Sequence, residues 1–249
     1  MKKLWGLLMD KRLDVLVCEI LGVSREYAKE IILAGKCEVS GKVIKKCGAK
    51  FSKDTNIIVN AKLPRFVSRG GEKLAKAIIV FDLHLQGLRC MDIGASTGGF
   101  TDCILQNGAD NVIAIENGKE QLHPKLLSDE RVISWENVDI REVYKDKLPF
   151  IPQFIATDLS FISIKHILPK VFEVLVEGGQ AVLLVKPQFE VGRGKVNKRG
   201  VVTDEKARIM ALEGICTAAK EIGLKAMGTE TSPIKGQNGN VEYLLLVEK

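Results

Sequence analysis

The stretch that decides the fold reads Met91-Asp92-Ile93-Gly94-Ala95-Ser96-Thr97-Gly98-Gly99-Phe100. We interpret it as a strand, a glycine-rich turn and the start of a helix. Glycines let the backbone approach a ligand that a side chain would block, and the start of a helix offers N–H donors to it. The stretch therefore predicts a ligand site at the point where the strand ends.

Strand-like runs alternate with helical stretches over the chain that follows residue 66. The strand-like runs are Cys90–Ile93, Val112–Ile115, Phe154–Thr157 and Ala181–Val185, and the helical stretches are 99–107, 163–176 and 204–222. This alternation is typical of a doubly wound, mostly parallel sheet, so the predicted fold class is α/β. Such sheets bind ligands at the carboxyl ends of their strands, and we therefore expect the functional residues there.

Two acidic residues flank the glycine-rich turn. Asp92 precedes the turn, and Glu116 ends the next strand. The turn lacks the second glycine of the GxGxxG fingerprint, and Asp92 would repel a pyrophosphate, which disfavours a nicotinamide-dependent oxidoreductase. The acids suit a cationic ligand such as S-adenosylmethionine, with Asp92 near its ammonium group and Glu116 on its ribose hydroxyls. A tight turn without a ligand is the alternative.

Asp158 and Lys186 follow two further strands, so we expect them to lie at neighbouring strand ends. Lys186 comes after the apolar run Ala181–Val185, which is an unusual place for a solvated lysine. Desolvation would lower the pKa of Lys186 toward neutrality, and Asp158 would oppose that shift while orienting the lysine. A plain salt bridge is the alternative. Spacing alone does not separate Lys73 and Glu242, two further candidates, from ordinary surface charges.

The basic charge is concentrated at the start of the chain. Residues 1–65 hold fourteen Lys and Arg against seven Asp and Glu, whereas the remainder is close to neutral. Two short helices, the second over Arg25–Leu33, and the strand-like pieces Cys37–Val39 and Ile57–Val59 would form a small basic module. Such a module favours contact with an RNA backbone over a merely soluble basic face. The expected contacts are Arg12, Arg25, Lys29, Lys36 and Lys42.

This first segment resembles the S4 RNA-binding domain through Arg12-Leu13-Asp14, Ser24-Arg25 and residues 32–42. Nearly the whole chain is similar to the TlyA (hemolysin A-like) family of ribosomal RNA 2′-O-methyltransferases, which join an S4 domain to a domain resembling the FtsJ heat-shock methyltransferase. The segments that carry this second resemblance are Val67–Leu74, Asp92–Asp102, Asp158–Ser163, Val185–Arg193 and 200–204.

The resemblance implies an S4-like domain over residues 1–62, a linker over 63–66 and a Rossmann-like, class I methyltransferase domain over 67–249. It implies S-adenosylmethionine as the cofactor and ribosomal RNA or ribosomal subunits as the partner, with a cytidine ribose as the substrate. The implied catalytic set is Lys73, Asp158, Lys186 and Glu242. The implied cofactor pocket is Asp92, Gly94, Ala95, Ser96, Thr97, Gly98, Glu116, Asp139 and Asp158. Further RNA contacts are expected at Arg69, Arg193 and Lys195.

The chain departs from the family pattern beside the predicted pocket. Lys119-Glu120 stands where the family usually has Tyr-Gly, and Val138-Asp139 stands where it often has Thr-Asn. An acid at 139 could still bond an adenine amino group. Lys119 and Glu120, however, leave the shape and charge of the ribose side of the pocket open. In the linker, Phe66 stands where the family often has Trp.

Other features of the sequence exclude several classes of protein. No apolar run approaches the roughly 20 residues that a bilayer requires. The six cysteines lack metal-ligand spacing, so we expect reduced thiols, no metal site, no export and a cytoplasmic protein. Two rival functions stay open, an RNA-binding protein with a catalytically weak methyltransferase domain and a hemolysin. The sequence leaves the oligomeric state open between monomer and dimer.

Overall fold

A computed structural model describes residues 10–61 and 64–249, apart from the side chains of Glu26 and Arg193. The apolar start of the chain, residues 2–9, is too short for us to expect an export signal there; these residues lie outside the described part of the structure, as does Leu63 of the expected linker. The chain separates into two compact units, Met1–Arg69 and Gly70–Lys249. We predicted the second domain to start at Val67, close to this division. The exact boundary and the S4 identity of the first unit stay predictions.

The first unit consists of two helices and short strands. Its elements are β1 (Lys11–Arg12), α1 (Leu13–Leu21), α2 (Arg25–Leu33), β2 (Cys37–Val39), β3 (Lys42–Val43), β4 (Lys50–Phe51) and β5 (Ile57–Val59). β2 lies between β3 and β5 in an antiparallel sheet, and β1 pairs with β4. Ser24 begins α2 as its N-cap, because its hydroxyl accepts a hydrogen bond from Tyr27 N at 3.3 Å. Apolar side chains of both helices and of β2 form the core of this unit.

A fully buried carboxylate, Asp14, organises the start of α1. It accepts hydrogen bonds from Arg12 Nε and Nη2, both at 2.9 Å, and from Arg25 Nε at 3.1 Å. The hydrogen bond from Arg12 is the main cause that lowers the pKa of Asp14 to about 2. Both arginine side chains are about half exposed. One buried acid therefore holds two cations in fixed positions at the surface.

The second unit is the predicted α/β domain. Its elements are α3 (Gly70–Val80), β6 (Arg89–Ile93), α4 (Gly99–Gln106), β7 (Asn111–Glu116), α5 (Pro124–Leu127), β8 (Val132–Glu136), β9 (Phe154–Thr157), α6 (Leu168–Val174), β10 (Gln180–Val185), α7 (Pro187–Glu190), α8 (Glu205–Ile222), β11 (Lys225–Thr231) and β12 (Tyr243–Glu248). Short 3-10 turns lie at Ile140–Glu142, Lys145–Lys147, Ile164–His166, Arg193–Lys195 and Gln237–Gly239.

The seven strands of this unit form one sheet in the order β11-β12-β10-β9-β6-β7-β8. β10, β9, β6, β7 and β8 are parallel, and β12 runs antiparallel to both β10 and β11. The strand order reverses direction along the chain between β6 and β9, which is where doubly wound sheets open a ligand crevice. The mostly parallel α/β fold that the sequence predicted is confirmed.

Three local features differ from the sequence prediction. The helix expected over 163–176 is a 3-10 turn at Ile164–His166 followed by α6, because Pro169 fits the first turn of a helix rather than its interior. Two strands of the seven-stranded sheet were not predicted, β8 and β11. Both lie at the edges of the sheet and are partly exposed: β8 is a short run of five residues, and β11 is rich in polar residues, so neither shows the continuous apolar pattern of the central strands. None of the six cysteines forms a disulfide among the described residues.

Replacing Asp14, the buried acid of the first unit, tests how much this residue stabilises the unit. We expect Asp14→Asn to lower the stability of this unit by about 1–3 kcal/mol, because a neutral amide replaces a carboxylate that accepts three charge-assisted hydrogen bonds. Hydrogen exchange of the α1 and α2 amides in the full-length chain measures the loss.

Asp54→Asn is the matched control, since Asp54 is exposed in the same unit. Its effect should stay within about 0.5 kcal/mol. Equal protection of α1 and α2 in the two variants would contradict the role given to Asp14.

Candidate active site

Four charged side chains meet at the edge of the sheet where the parallel strands end. Asp158 and Lys186 directly follow β9 and β10, and Lys73 lies in the first turns of α3. Glu242 directly precedes β12. Because β12 is antiparallel to β10, with Tyr243 opposite Val185, the start of β12 lies at the same edge as the end of β10. The structure thus brings together all four residues of the implied catalytic set.

The four groups form a continuous chain of ion pairs. Asp158 bridges two lysines, with Oδ1 at 2.6 Å from Lys186 Nζ and Oδ2 at 3.3 Å from Lys73 Nζ. Lys73 Nζ also lies 2.8 Å from Glu242 Oε2. The exposed fractions of the side chains are 10% for Lys73, 21% for Asp158, 9% for Lys186 and 2% for Glu242. Two cations and two anions therefore balance in a largely buried cluster.

Mutual pairing holds two of these groups in their charged forms. Burial alone would raise the pKa of Asp158, but the charges and hydrogen bonds of Lys186 and Lys73 outweigh it, so the pKa lies below its usual value. Burial alone would lower the pKa of Lys73, and Asp158 together with Glu242 outweighs it, so that pKa is raised. Lys73 consequently stays an ammonium ion at neutral pH and is unsuited to accept a proton.

Ser160 is a contact of this cluster that the sequence did not single out. Lys186 Nζ donates a hydrogen bond to Ser160 Oγ at 2.8 Å. Ser160 lies two residues after Asp158, just beyond the end of β9, and in a strand residues at this spacing share one face. That spacing is the only signal in the sequence that could have identified it.

A cavity of about 910 Å³ opens beside the ion-pair chain. Five of the residues implied for the cofactor pocket line it, namely Gly94, Ser96, Glu116, Asp139 and Asp158. The other four, Asp92, Ala95, Thr97 and Gly98, belong to the same turn but are not among the lining residues. The lining also includes apolar residues at the end of β6 and in the segments after β9 and β8, among them Ile93, Leu159 and Val138.

Gly94 is needed where the turn leaves β6. Its φ of +84° lies in the left-handed region, and a Cβ at this position would lie 2.8 Å from the carbonyl oxygen of Asp158. The backbone of the turn therefore passes close to the segment that carries Asp158, as only a glycine permits.

Asp92 is fully buried behind the turn rather than exposed to the cavity. Its Oδ2 accepts hydrogen bonds from Thr101 N at 2.9 Å and Thr101 Oγ1 at 2.6 Å, which ties β6 to the start of α4. Its Oδ1 has no hydrogen-bond partner among the described residues. Burial raises the pKa of Asp92 to about 7. Its predicted contact with a ligand ammonium group stays a prediction.

Glu116 shapes the cavity by holding two backbone segments. Its Oε2 accepts a hydrogen bond from Ser96 N at 2.8 Å, and its Oε1 accepts one from Gly118 N at 2.7 Å. The carboxylate thus joins the glycine-rich turn to the loop after β7 while it lines the cavity.

A second acid, Glu136 at the end of β8, holds the next part of the same loop. Its carboxylate accepts hydrogen bonds from the backbone N–H groups of Glu120 at 2.8 Å, Gln121 at 2.7 Å and Leu122 at 2.9 Å. The bonds from Leu122 and Gln121 are the main cause that holds the pKa of Glu136 below its usual value. Sequence reasoning missed Glu136 because it missed β8 itself.

Glu116 and Glu136 hold this loop by its backbone, so the side chains of Lys119 and Glu120 do not shape the cavity. The two side chains are 78% and 82% exposed and pair with each other at 3.7 Å. Neither is among the residues that line the cavity. The departure from the family pattern therefore leaves the cavity wall to backbone groups and to Gln121.

Asp139 lines the cavity but is already engaged. It caps the 3-10 turn that follows it by accepting a hydrogen bond from Arg141 N at 2.9 Å, and it pairs with the Arg141 guanidinium through Nε and Nη2. The Arg141 hydrogen bond is the main cause that lowers the pKa of Asp139. Its expected bond to an adenine amino group stays a prediction.

The residues expected to contact RNA fall into separate groups. In the first unit, Arg12 and Arg25 share Asp14, and Arg69 pairs with Glu30 at 2.6 Å. Among the described residues, no ion pair links Lys29, Lys36 or Lys42 to Asp14. In the second unit, Lys195 is exposed after α7, and the side chain of Arg193 lies outside the described part of the structure.

The basic segment around Lys195 is anchored at its far end by Asn240, which sequence reasoning also missed. This buried amide accepts a hydrogen bond from Val202 N at 3.1 Å and donates one to Gly200 O at 2.9 Å. Asn240 lies two residues before Glu242. Gly236, in the same loop, would place a Cβ 1.9 Å from Glu242 Oε1, so this loop is packed directly on the catalytic candidate.

Comparison with known proteins agrees with this arrangement. The model of the FtsJ-like methyltransferase family matches residues 66–249. Hemolysin A of Brachyspira hyodysenteriae is 42% identical over 222 residues, 89% of this chain and 92% of that protein. The 16S/23S rRNA (cytidine-2′-O)-methyltransferase TlyA of Mycobacterium tuberculosis is 38% identical over 226 residues, 90% of this chain and 84% of that protein.

A solved structure of a hemolysin-named protein from Streptococcus thermophilus shares the fold, with a TM-score of 0.79 and 41% identity. The match covers 97% of this chain and 89% of that chain. The resemblance inferred from sequence motifs is confirmed, and the chain belongs to the FtsJ-like methyltransferase family, within the group that includes the proteins named TlyA and hemolysin A.

Proposed function

We propose that this methyltransferase transfers a methyl group from S-adenosylmethionine to the 2′-hydroxyl of a ribose, that of a cytidine, in ribosomal RNA. The observation that carries the proposal is the buried Lys186–Asp158 pair, 2.6 Å apart, at the edge of the sheet beside the cavity. The name of the TlyA relative, a 16S/23S rRNA (cytidine-2′-O)-methyltransferase, supports the choice of substrate.

The cavity fits a cofactor of this size and charge. Its volume of about 910 Å³ lies in the range of small-molecule and cofactor sites. Glu116 and Asp158 line it with negative charge, which suits a cation, and Gly94 leaves room for a ligand against the backbone. Glu116 would accept hydrogen bonds from the ribose hydroxyls of the cofactor, and Asp139 with its neighbours would face the base.

S-adenosylmethionine supplies a methyl group on a positively charged sulfur, which leaves as a neutral thioether. The protein must place the ribose oxygen in line with that carbon and sulfur, and it must help to remove one proton from the hydroxyl. Placement of the reacting atoms alone can lower the activation barrier by roughly several kcal/mol. The remaining task requires a group that can hold a proton at the reacting oxygen.

Lys186 Nζ is that group. Lys73 is paired with two carboxylates, whereas among the described residues Lys186 is paired with one, that of Asp158. A cation bound in the cavity adds a third positive charge to a balanced cluster and therefore favours loss of a proton from the lysine with the weaker anionic support. Lys186 would then accept the hydroxyl proton, while Asp158 keeps it aimed and Lys73 with Glu242 fixes Asp158.

An exposed aromatic ring at the cavity supports a nucleic-acid substrate. Phe161 is 83% exposed, lines the cavity, and has a φ of +66°, in the left-handed region that is unusual for an aromatic residue. Its ring lies 5.3 Å from that of Phe189. Aromatic faces of this kind stack unpaired RNA bases.

Basic residues of both units would contact the RNA backbone. In the first unit Arg12 and Arg25 are held by Asp14, and in the second the segment with Lys195 ends at the Asn240 anchor. Phosphate contacts of this kind position an RNA without reading its sequence.

Two similar proteins carry the name hemolysin. Among the described residues, no helix has both the length and the apolar character needed to cross a bilayer. The buried ion-pair chain and its cavity have a use in methyl transfer and none in lysis. An RNA-binding protein with a weak enzymatic domain is disfavoured because the implied catalytic set is assembled.

Incubation with tritiated S-adenosylmethionine and ribosomal subunits tests the function. We expect label on a ribose, recognised because a 2′-O-methyl group protects the adjoining phosphodiester from alkaline cleavage. Lys186→Ala should lower the rate by roughly 100- to 10,000-fold, the usual contribution of a positioned base. Binding of S-adenosylmethionine, measured by calorimetry, should change less than twofold.

Lys225→Ala is the control. Lys225 is exposed at the end of β11 that lies away from the ion-pair chain, so this variant should keep the full rate. Unchanged turnover in Lys186→Ala would remove this lysine from the mechanism. Label confined to bases would overturn the proposed reaction.

The loop that walls the cavity gives a second prediction. Glu136→Gln should weaken S-adenosylmethionine binding by roughly tenfold, because the neutral amide holds three loop N–H groups less firmly than the carboxylate does. Isothermal calorimetry measures the change. Glu130→Gln, at an exposed position nearby, should bind as the natural chain does. Equal affinities in both variants would show that the loop needs no such anchor.

The buried acid behind the turn gives a pH dependence. With its pKa raised to about 7, Asp92 stays protonated in the folded chain while the unfolded chain loses that proton above about pH 4. Its contribution to stability therefore falls as pH rises from about 4 to 7. We expect Asp92→Asn, which mimics the protonated acid, to gain roughly 3 kcal/mol relative to the natural chain between pH 5 and pH 8.

Chemical denaturation across that pH range measures the difference. Asp110→Asn, at an exposed site in the same unit, should show a difference that does not depend on pH. If the difference in unfolding free energy between Asp92→Asn and the natural chain also did not depend on pH, Asp92 would be ionised in the folded chain.

A further inference from the structure

The two lysines of the ion-pair chain differ in their second partner. Both contact Asp158, but Lys73 also contacts the carboxylate of Glu242, whereas Lys186 also contacts the hydroxyl of Ser160. A carboxylate only accepts hydrogen bonds, so it favours the ammonium form alone. A hydroxyl can accept a hydrogen bond from an ammonium ion and donate one to a neutral amine.

This difference matters for a lysine that must change its protonation state. Lys186 is buried, and a buried amine left without a partner after losing its proton would be destabilised. Ser160 Oγ can serve both states of Lys186 by rotation of its own O–H bond. Glu242 could not do the same for Lys73.

Ser160 is also the most exposed member of this group. It is exposed and lines the cavity, whereas Lys186 and Glu242 are buried. A proton held at Lys186 Nζ therefore has a hydroxyl within 2.8 Å that also contacts solvent.

The segments that carry the two residues are joined at several points. Glu190 in α7, just after Lys186, accepts hydrogen bonds from Ser163 Oγ and from Ile164 N at 2.9 Å, just after Ser160. The rings of Phe161 and Phe189 form another contact between the same segments. The distance between Lys186 Nζ and Ser160 Oγ is therefore held by the surrounding structure and does not rest on one hydrogen bond.

We propose that Ser160 is a positioning residue that orients Lys186 in both protonation states and carries its proton to solvent; this rests on the proposed function. In each turnover the ribose O–H bond breaks and its proton binds neutral Lys186 Nζ. The oxygen electron pair forms the bond to the methyl carbon, and the carbon–sulfur pair leaves with sulfur. Lys186 then passes a proton to Ser160 Oγ as the Ser160 O–H proton passes to a water molecule, so one proton reaches solvent.

Three variants of the full-length chain test this role. Ser160→Ala should lower kcat by roughly 10- to 100-fold, with the KM for ribosomal subunits and the affinity for S-adenosylmethionine changed less than twofold. Ser160→Thr keeps a hydroxyl and should restore most of the rate. Thr217→Ala is the matched control, because it removes an exposed hydroxyl of the same unit, one that bonds Glu213 O within α8 and lies outside the segments that carry Ser160 and Lys186.

Two further measurements separate a proton path from a merely structural role. The rate of Ser160→Ala should rise with the concentration of a small buffer such as imidazole, whereas that of the natural chain should not. The pH–rate profile of Ser160→Ala should shift, and that of Thr217→Ala should keep its midpoint. Full activity of Ser160→Ala, or a loss without buffer rescue or pH shift, would overturn the inference while leaving the proposed function intact. Absence of ribose methylation by the natural chain would overturn both.

Discussion

The sharing of one carboxylate by two buried lysines is the interaction on which the site depends. Asp158 holds Lys186 at 2.6 Å and Lys73 at 3.3 Å; Lys186 follows strand β10, whereas Lys73 lies on helix α3. Without Asp158, two buried ammonium ions would face each other at a large electrostatic cost. With it, four charges balance, and only one of them is left with a partner that tolerates the loss of a proton.

The first unit uses the same device for a different end. Asp14 is fully buried and, like Asp158, holds two cations, but its partners are arginines that stay charged at any physiological pH. The Asp14 cluster can therefore present fixed charge at the surface and nothing more. The Asp158 cluster contains lysines, whose protonation can change when they are buried, and so it can take part in chemistry.

Much of the fold and half of the catalytic set could be predicted from the sequence. Asp158 and Lys186 each follow a buried apolar strand, and parallel strands end at a common edge, so their meeting follows from the pattern. Glu242 could not be placed in this way, because its strand is antiparallel and brings its start, not its end, to that edge. Lys73 lies on a helix whose position depends on tertiary packing. Glu136 was missed because its short edge strand, β8, was not predicted, and Ser160 was missed because the role of a hydroxyl depends on which residues surround it.

The loop after β7 has a consequence for how related sequences should be compared. Glu116 and Glu136 grip this loop by its amide groups, and the side chains at positions 119 and 120 extend into water. The residues at these two positions can therefore change between related proteins without altering the wall of the cavity. A search pattern that requires particular side chains at positions 119 and 120 would discard genuine relatives. A pattern that requires the acids at positions 116 and 136 would retain them.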